Sequence, residues 1–386
     1  MREQYLADYA SFSSESKGRL FNEKPAEGRT LYQRDRDRIL HSGAFRKLQY
    51  KTQVFVYHEG DYYRTRLTHT IEVAQIARSL SRTLNFNEDL SEAIALSHDL
   101  GHTPFGHAGE EVLNKFMEAY GGFNHNEQAL RILTKIERRY PGFDGLNLTF
   151  ETLDGIIKHN GPIKGRPTVF MSDLTKSLQL NLSIFGSGEA QLAAIADDVA
   201  YNAHDVDDGL RAQIFTISDL ESLGLVSPIM SKIKHEFGDI EDSRLISELV
   251  RQIVNTLVED IISESTRRLY EIQPAHSEDI KNSKQPVVAF SEKLTPRIRE
   301  LREFLFARMY RHYKVNRMAS KAKRVIGELF DLFMEEPSVL PDEWRFLGKR
   351  NVKSNQARLI ADYIAGMTDR YALLEYDRLF DFKAKI

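Results

Sequence analysis

Ser97-His-Asp-Leu-Gly-His-Thr-Pro-Phe-Gly-His-Ala-Gly-Glu-Glu111 puts His98, His102 and His107 within ten residues, interleaved with acids and turn glycines. The apolar positions before it predict a helix over Leu90 to Leu100, with Gly101 placed to end it. Thr103-Pro104-Phe105-Gly106 then predicts a turn. Neighbouring residues on a helix point about 100° apart, a consequence of 3.6 residues per turn. His98 and Asp99 therefore reach one ion only at a helix end or along a helix edge. His69 lies a helix earlier and His125 shortly after, so five histidines fall between residues 69 and 125. Histidines and carboxylates converging without cysteine are what a hard or borderline catalytic cation requires.

Working outward from this stretch, apolar residues recur at helical spacing and strand-like alternation is scarce. A helix beginning near Thr68 carries Ile71, Ala74, Ala77, Leu80 and Leu84 on one side. Another covers roughly Gln191 to Leu210. The clearest runs from about Arg244 to Glu264, where Leu245/Ile246, Leu249/Val250, Ile253/Val254, Leu257/Val258 and Ile261/Ile262 make one stripe and Ser243 is the expected N-cap. Tyr120-Gly121-Gly122, Tyr140-Pro141-Gly142 and the loop from Asn160-Gly161-Pro162 to Arg166-Pro167 are breaks. The polar run Gln273 to Gln285 is the expected junction between subregions. The fold expected is all-α: a helical core over residues 1–275, with a metal site inside 60–210, and a C-terminal helical region over 276–386 packed on it.

The chain has 386 residues, 41% of them hydrophobic and 28% charged, which is ordinary globular composition. No apolar run approaches the length of a membrane span, and Met1–Leu20 has no apolar signal region, so a cytoplasmic, non-membrane protein is expected. With no cysteine, disulfides, zinc–thiolate sites and cysteine nucleophiles are excluded together, and a metal must be held by His and carboxylates, which suit Mn, Mg, Fe, Co or Ni. Net charge is −3, yet Arg29–Arg66 carries nine Lys/Arg against four Asp/Glu, and Lys293–Arg324 eleven against two. Such stretches suit a compact polyanion or nucleic acid, although solvated helix faces are the commoner reading.

The 191–210 helix supplies the acids. Asp197, Tyr201 and Asp205 are spaced i, i+4, i+8 and share one face, while Asp198 and Asp207 point away from it. An aspartate on the core-facing side of an apolar helix needs a partner, and a cation is one. Asp207 and Asp208 read as an acidic solvent face. Two ligands beyond His98 and Asp99 must come from elsewhere, with His69 and an acid of this helix as candidates.

Arg66-Leu-Thr-His69, His98-Asp99 and Asp197 resemble the H…HD…D metal signature of the HD-domain phosphohydrolases. Residues 44–55 (AFRKLQYKTQVF), HDLGHTPFGHAGE, FNHNEQALRIL, the Asp197–Asp205 helix and ADYIAGMTDRYA (361–372) narrow the resemblance to the dGTP triphosphohydrolase family, over nearly the whole chain. The resemblance implies that His69, His98, Asp99 and Asp197 hold a divalent cation. It implies that His107 and Glu110 are the catalytic pair, with His125 an additional active-site histidine. Gln53, Arg66, Tyr201 and Asp205 would contact sugar or phosphates, and His102 would touch substrate or belong to a second metal site. The implied reaction cleaves dGTP or other dNTPs into deoxynucleoside and inorganic triphosphate. The implied partners are a dNTP activator, further copies of the chain (a hexamer among the family's forms) and single-stranded DNA.

One departure is visible. Some relatives carry Lys after the aspartate ligand as a phosphate contact, and this chain has Asp198 there. A basic residue elsewhere would have to serve; Arg211 and the 297–324 cluster, Arg308, Arg311 and Arg317 among them, are candidates. Two alternatives stand beside the main reading: a different HD hydrolase acting on alarmones or cyclic dinucleotides, and a nucleotide- or single-stranded-DNA-binding regulator without turnover. No P-loop and no GxSxG elbow is present.

Overall fold

The computed structural model describes residues 5–53, 64–347 and 353–384. Val54 and Phe55 of the 44–55 block lie outside the described residues. The architecture is all-α, as expected, and no strand occurs among the described residues. The helices that position the site are α1 (Leu31–Leu40), α2 (Arg66–Thr83), α3 (Glu88–Ser97), α4 (His107–Met117), α5 (His125–Arg131), α6 (Phe150–Ile157), α7 (Gly188–Arg211), α8 (Asp242–Ile272), α9 (Thr295–Leu305), α10 (Tyr313–Glu335), α11 (Lys353–Ala365) and α12 (Asp369–Phe380).

Starts are set by short polar side chains that accept otherwise unpaired backbone N–H groups. Thr65, Asn87 and Ser187 do this for α2, α3 and α7. Helix α7 is also tied down at its first turn: Glu189 is fully buried and accepts from Ser11 N (2.8 Å), Ser11 Oγ (2.9 Å) and Asn87 N (3.2 Å).

Helices α2, α3 and α7 pack on one another through Val73, Ala77, Leu80, Leu90, Ile94, Ala193, Ala196 and Ala200, all buried. The alanines let the backbones approach, and each fully buried leucine contributes about 1.5–3 kcal/mol. Helix α8 covers the outer side of α7 with Leu249, Ile253, Leu257 and Ile261, and this core runs on to Leu301, Leu305 and Met309. A second apolar cluster joins Leu113 and Met117 of α4 to Ile326, Leu329, Phe330 and Phe333 of α10 and Ile360 and Ile364 of α11.

Two local expectations are corrected. Helix α3 stops at Ser97, with His98 at its C-cap, so Gly101 does not end it. Gly101 is needed instead for close approach: a Cβ there would sit 1.9 Å from the His125 carbonyl oxygen and 2.3 Å from Ala129 N. Helix α8 begins at Asp242 after Glu241, and Ser243 Oγ donates to Glu241 rather than capping. The 273–285 run holds a short helix, Ser277–Lys281, and buries Ile280 in the main core.

Candidate active site

The end of α3, the first turn of α2 and the middle of α7 face one cavity of about 330 Å³. His69, His98 and Asp99 each turn a ligand atom into it, and these atoms lie within 4.8 Å of one another. Asp197 joins them: its Oδ1 is 2.9 Å from His69 Nε2 and 3.6 Å from His98 Nε2. The protonation state of His98 follows from its surroundings. Its Nδ1 donates to the Ala95 carbonyl at 2.6 Å and burial pulls its pKa below the ordinary value, so the ring is neutral, its Nε2 carries no proton, and that atom is buried without a hydrogen-bond partner. A bare, buried imidazole nitrogen beside two carboxylates fits a divalent cation.

Charge in the group is arranged to match. Burial opposes ionisation of Asp99, but the Arg66 guanidinium, 2.9 Å from its Oδ2, outweighs this and holds it well below the usual carboxylate range. Asp197 is held down in the same sense, against burial, by its hydrogen bonds with His159 and His69. The Arg66 guanidinium lies under the turn, where a Cβ on Gly106 (φ +58°) would come within 3.0 Å of it.

A second group sits across His102. His102 Nε2 is 3.1 Å from Asp99 Oδ1, and its ring stacks on His125 with centroids 4.0 Å apart. Burial, then Arg66, pulls its pKa well below the ordinary value, so His102 is neutral. Glu110 accepts from His107 Nδ1 (3.2 Å), His125 Nδ1 (2.8 Å) and His125 N (2.9 Å). Burial would raise Glu110, but the hydrogen bonds from His107 and His125 keep it far below the usual range. The His107 side chain is 72% exposed, open to a substrate atom. His102, His107, Glu110 and His125 are themselves close enough to hold an ion.

Tyr201 lines the cavity, donating to Tyr310 at 2.5 Å, and Tyr310 donates to Asp205 at 2.6 Å. Asp205 is buried behind Tyr310 and does not line the cavity, and burial pushes it up to about 7. Gln53 stands at the cavity edge with a buried Oε1 free.

A model described as the HD domain matches residues 66–202, and one described as a phosphohydrolase-associated domain matches 288–378. The chain is 51% identical to a deoxyguanosinetriphosphate triphosphohydrolase-like protein of Parvibaculum lavamentivorans, covering 97% of this chain and 96% of that one. Proteins of the same description from a Caulobacter species and Brucella ovis are 49% and 50% identical, over 97% of this chain and 96% and 95% of theirs. The chain belongs to the deoxyguanosinetriphosphate triphosphohydrolase-like family. It is thus an HD-domain phosphohydrolase, and no described helix is long and apolar enough to cross a membrane.

In this member of the family, the cavity also holds residues that sequence reasoning missed. His159 lies just past α6, 3.4 Å from Asp197 Oδ2 and stacked on His98. It was visible only as the residue before the Asn160-Gly161-Pro162 break. Arg302 of α9, inside the 297–324 basic cluster but not singled out there, reaches the cavity and pairs with Asp198 at 2.8 Å. The four arginines named from sequence are engaged elsewhere: Arg211 with Asp207, Arg308 with Asp219, and Arg311 and Arg317 over the rings of Phe306 and Tyr313.

Two readings of α7 are overturned. Asp198 lines the cavity rather than pointing away. Asp207 and Asp208 are buried, not solvated, because Arg64 reaches them at 2.7 and 3.1 Å.

Proposed function

We propose that the chain hydrolyses deoxynucleoside triphosphates to deoxynucleoside and inorganic triphosphate at this cavity. The observation that carries the reading is that a cation-competent group and a His–Glu–His group share one cavity, joined through His102. His69, His98, Asp99 and Asp197 would hold the divalent cation, which when bound polarises a phosphoryl oxygen and acidifies water. Arg66, fixed by Asp99, adds positive charge where the α-phosphate develops negative charge. Water attacks the α-phosphorus, the bond to the 5′-oxygen breaks, and triphosphate leaves intact. His107, its Nδ1 held by Glu110, presents Nε2 to donate a proton to that oxygen. Tyr310, backed by Asp205, offers a flat wall for the deoxyribose.

A neighbouring cavity of about 270 Å³ shares Gln53, His107 and Tyr310 with the first and continues between Phe105, Met318 and Ala322. Its apolar walls suit a nucleobase. Glu111 and Lys323, ion-paired at 2.6 Å, stand at its edge. A carboxylate matches the N1–H and N2–H₂ donors of guanine, and an ammonium matches O6. Glu111→Gln should lower kcat/KM for dGTP relative to dATP by about 10–150-fold, the size of one lost charged hydrogen bond. An unchanged ratio would place the base elsewhere.

The direct test is product analysis. Purified protein with Mn²⁺ is given each dNTP and NTP, singly and mixed, and products are resolved by chromatography. Deoxynucleoside with intact triphosphate is expected. Release of diphosphate or single phosphate would move the attack to another phosphorus and end this reading.

A further inference from the structure

A histidine binds a cation through an unprotonated nitrogen, so its other nitrogen must carry the proton and something must hold it there. For His98 that partner is the Ala95 carbonyl. For His69 no backbone carbonyl serves. Its Nδ1 lies 3.2 Å from Nδ1 of His204, one turn further along α7 than the Tyr201 position and buried. Two imidazole nitrogens in contact leave the proton's position open unless a third group decides it.

Glu72 decides it. It sits on α2 one turn after His69, and its carboxylate is 2.7 Å from His204 Nε2. A carboxylate only accepts, so the His204 proton is on Nε2 and neutral His204 has a bare Nδ1. That nitrogen can only accept, so His69 donates from Nδ1, and its Nε2, which meets Asp197 Oδ1 at 2.9 Å, is the nitrogen a cation would take in exchange for the proton shared with that carboxylate. Glu72 is itself anchored by Arg64 at 3.2 Å, the same guanidinium that holds Asp207 and Asp208. The buried acids misread as a solvent face thus end a chain leading to His69.

We propose that His204 and Glu72 are positioning residues that lock His69 in its cation-binding tautomer. The inference rests on the preceding assignment of His69 as a ligand. Neither residue touches substrate or cation. Partners of this kind typically set metal affinity by about 10–100-fold.

The test is Co²⁺ binding by the metal-stripped full-length protein, read by equilibrium dialysis and by the visible spectrum of the bound ion. Glu72→Gln, whose amide no longer forces the His204 proton onto Nε2, and His204→Ala should each weaken binding about 10–100-fold. The double variant should match His204→Ala within about twofold, since both act along one chain. His204→Gln, whose amide oxygen accepts the same hydrogen bond, should bind Co²⁺ more tightly than His204→Ala. Thermal unfolding without metal separates loss of fold from loss of ligand. Affinities of Glu72→Gln and His204→Ala within about threefold of wild type, with His69→Ala strongly weakened, would overturn the positioning role alone. Undiminished binding by His69→Ala would overturn the ligand assignment and this proposal with it.

Discussion

His107→Ala is expected to lower turnover of dNTP by about 10²–10⁴-fold while leaving bound metal close to the wild-type content. The split follows from position. His107 opens α4, on the far side of His102 from His69 and His98, and its ring is held by the Glu110 hydrogen bond and by edge contacts with His102 and His125. Removing the ring takes away a proton donor to the 5′-oxygen and touches none of the four proposed ligands. Glu110 retains its contacts to His125, so the turn should keep its shape. Product chromatography gives the rate, and elemental analysis of the dialysed protein gives the metal. Loss of metal in parallel with rate would show that the His102–His107–Glu110–His125 group binds an ion, and would turn His107 from proton donor to ligand.

Asp369→Ala is expected to cost on the order of 3 kcal/mol of stability and to impair the site from a distance. Asp369 is fully buried at the start of α12 and accepts from Thr52 N (3.0 Å), the Thr52 hydroxyl and Phe105 N (2.9 Å). Alanine leaves two backbone N–H groups dry and unpaired, at about 1–3 kcal/mol each. Phe105 is part of the turn between Asp99 and His107 and is held at φ +61°, a conformation that non-glycine residues adopt at a cost. Thr52 precedes Gln53. Both ends of the site should therefore loosen. Urea unfolding at unchanged slope measures the loss. Asp369→Asn, which keeps one acceptor oxygen, should lose less. Equal stability of Asp369→Ala and wild type would mean that water replaces the carboxylate.

The parts legible in sequence were those whose chemistry is local. Helical periodicity placed α2, α7 and α8 because an apolar stripe is written in spacing alone. His98-Asp99 stood out because adjacent ligands need a helix end, and the helix does end at Ser97. The misreadings share a different cause. Asp207 and Asp208 look solvated until Arg64, over 140 residues away, supplies the countercharge. Arg302 is one of eleven basic residues in its stretch, and only the packing of α9 on α7 selects it. His159 and Tyr310 follow or interrupt helices without periodic context, so nothing in spacing distinguishes them. The left-handed residue Phe105 is equally silent, since the force that holds it comes from the far end of the chain.

Lys51 has a wider consequence. It is buried, with its ammonium donating to the His102 carbonyl at 2.5 Å and to the Ala365 carbonyl at 2.9 Å, and burial pulls its pKa down to about 7. One side chain thus stitches the turn after Asp99 to the last residue of α11. The segments matched by two separate family models, 66–202 and 288–378, are thus tied together through a side chain that belongs to neither. A shuffled descendant that inherited residues 1–202 with a foreign tail would keep all four proposed ligands, yet it would leave an ammonium and two amides stranded beneath its own active site.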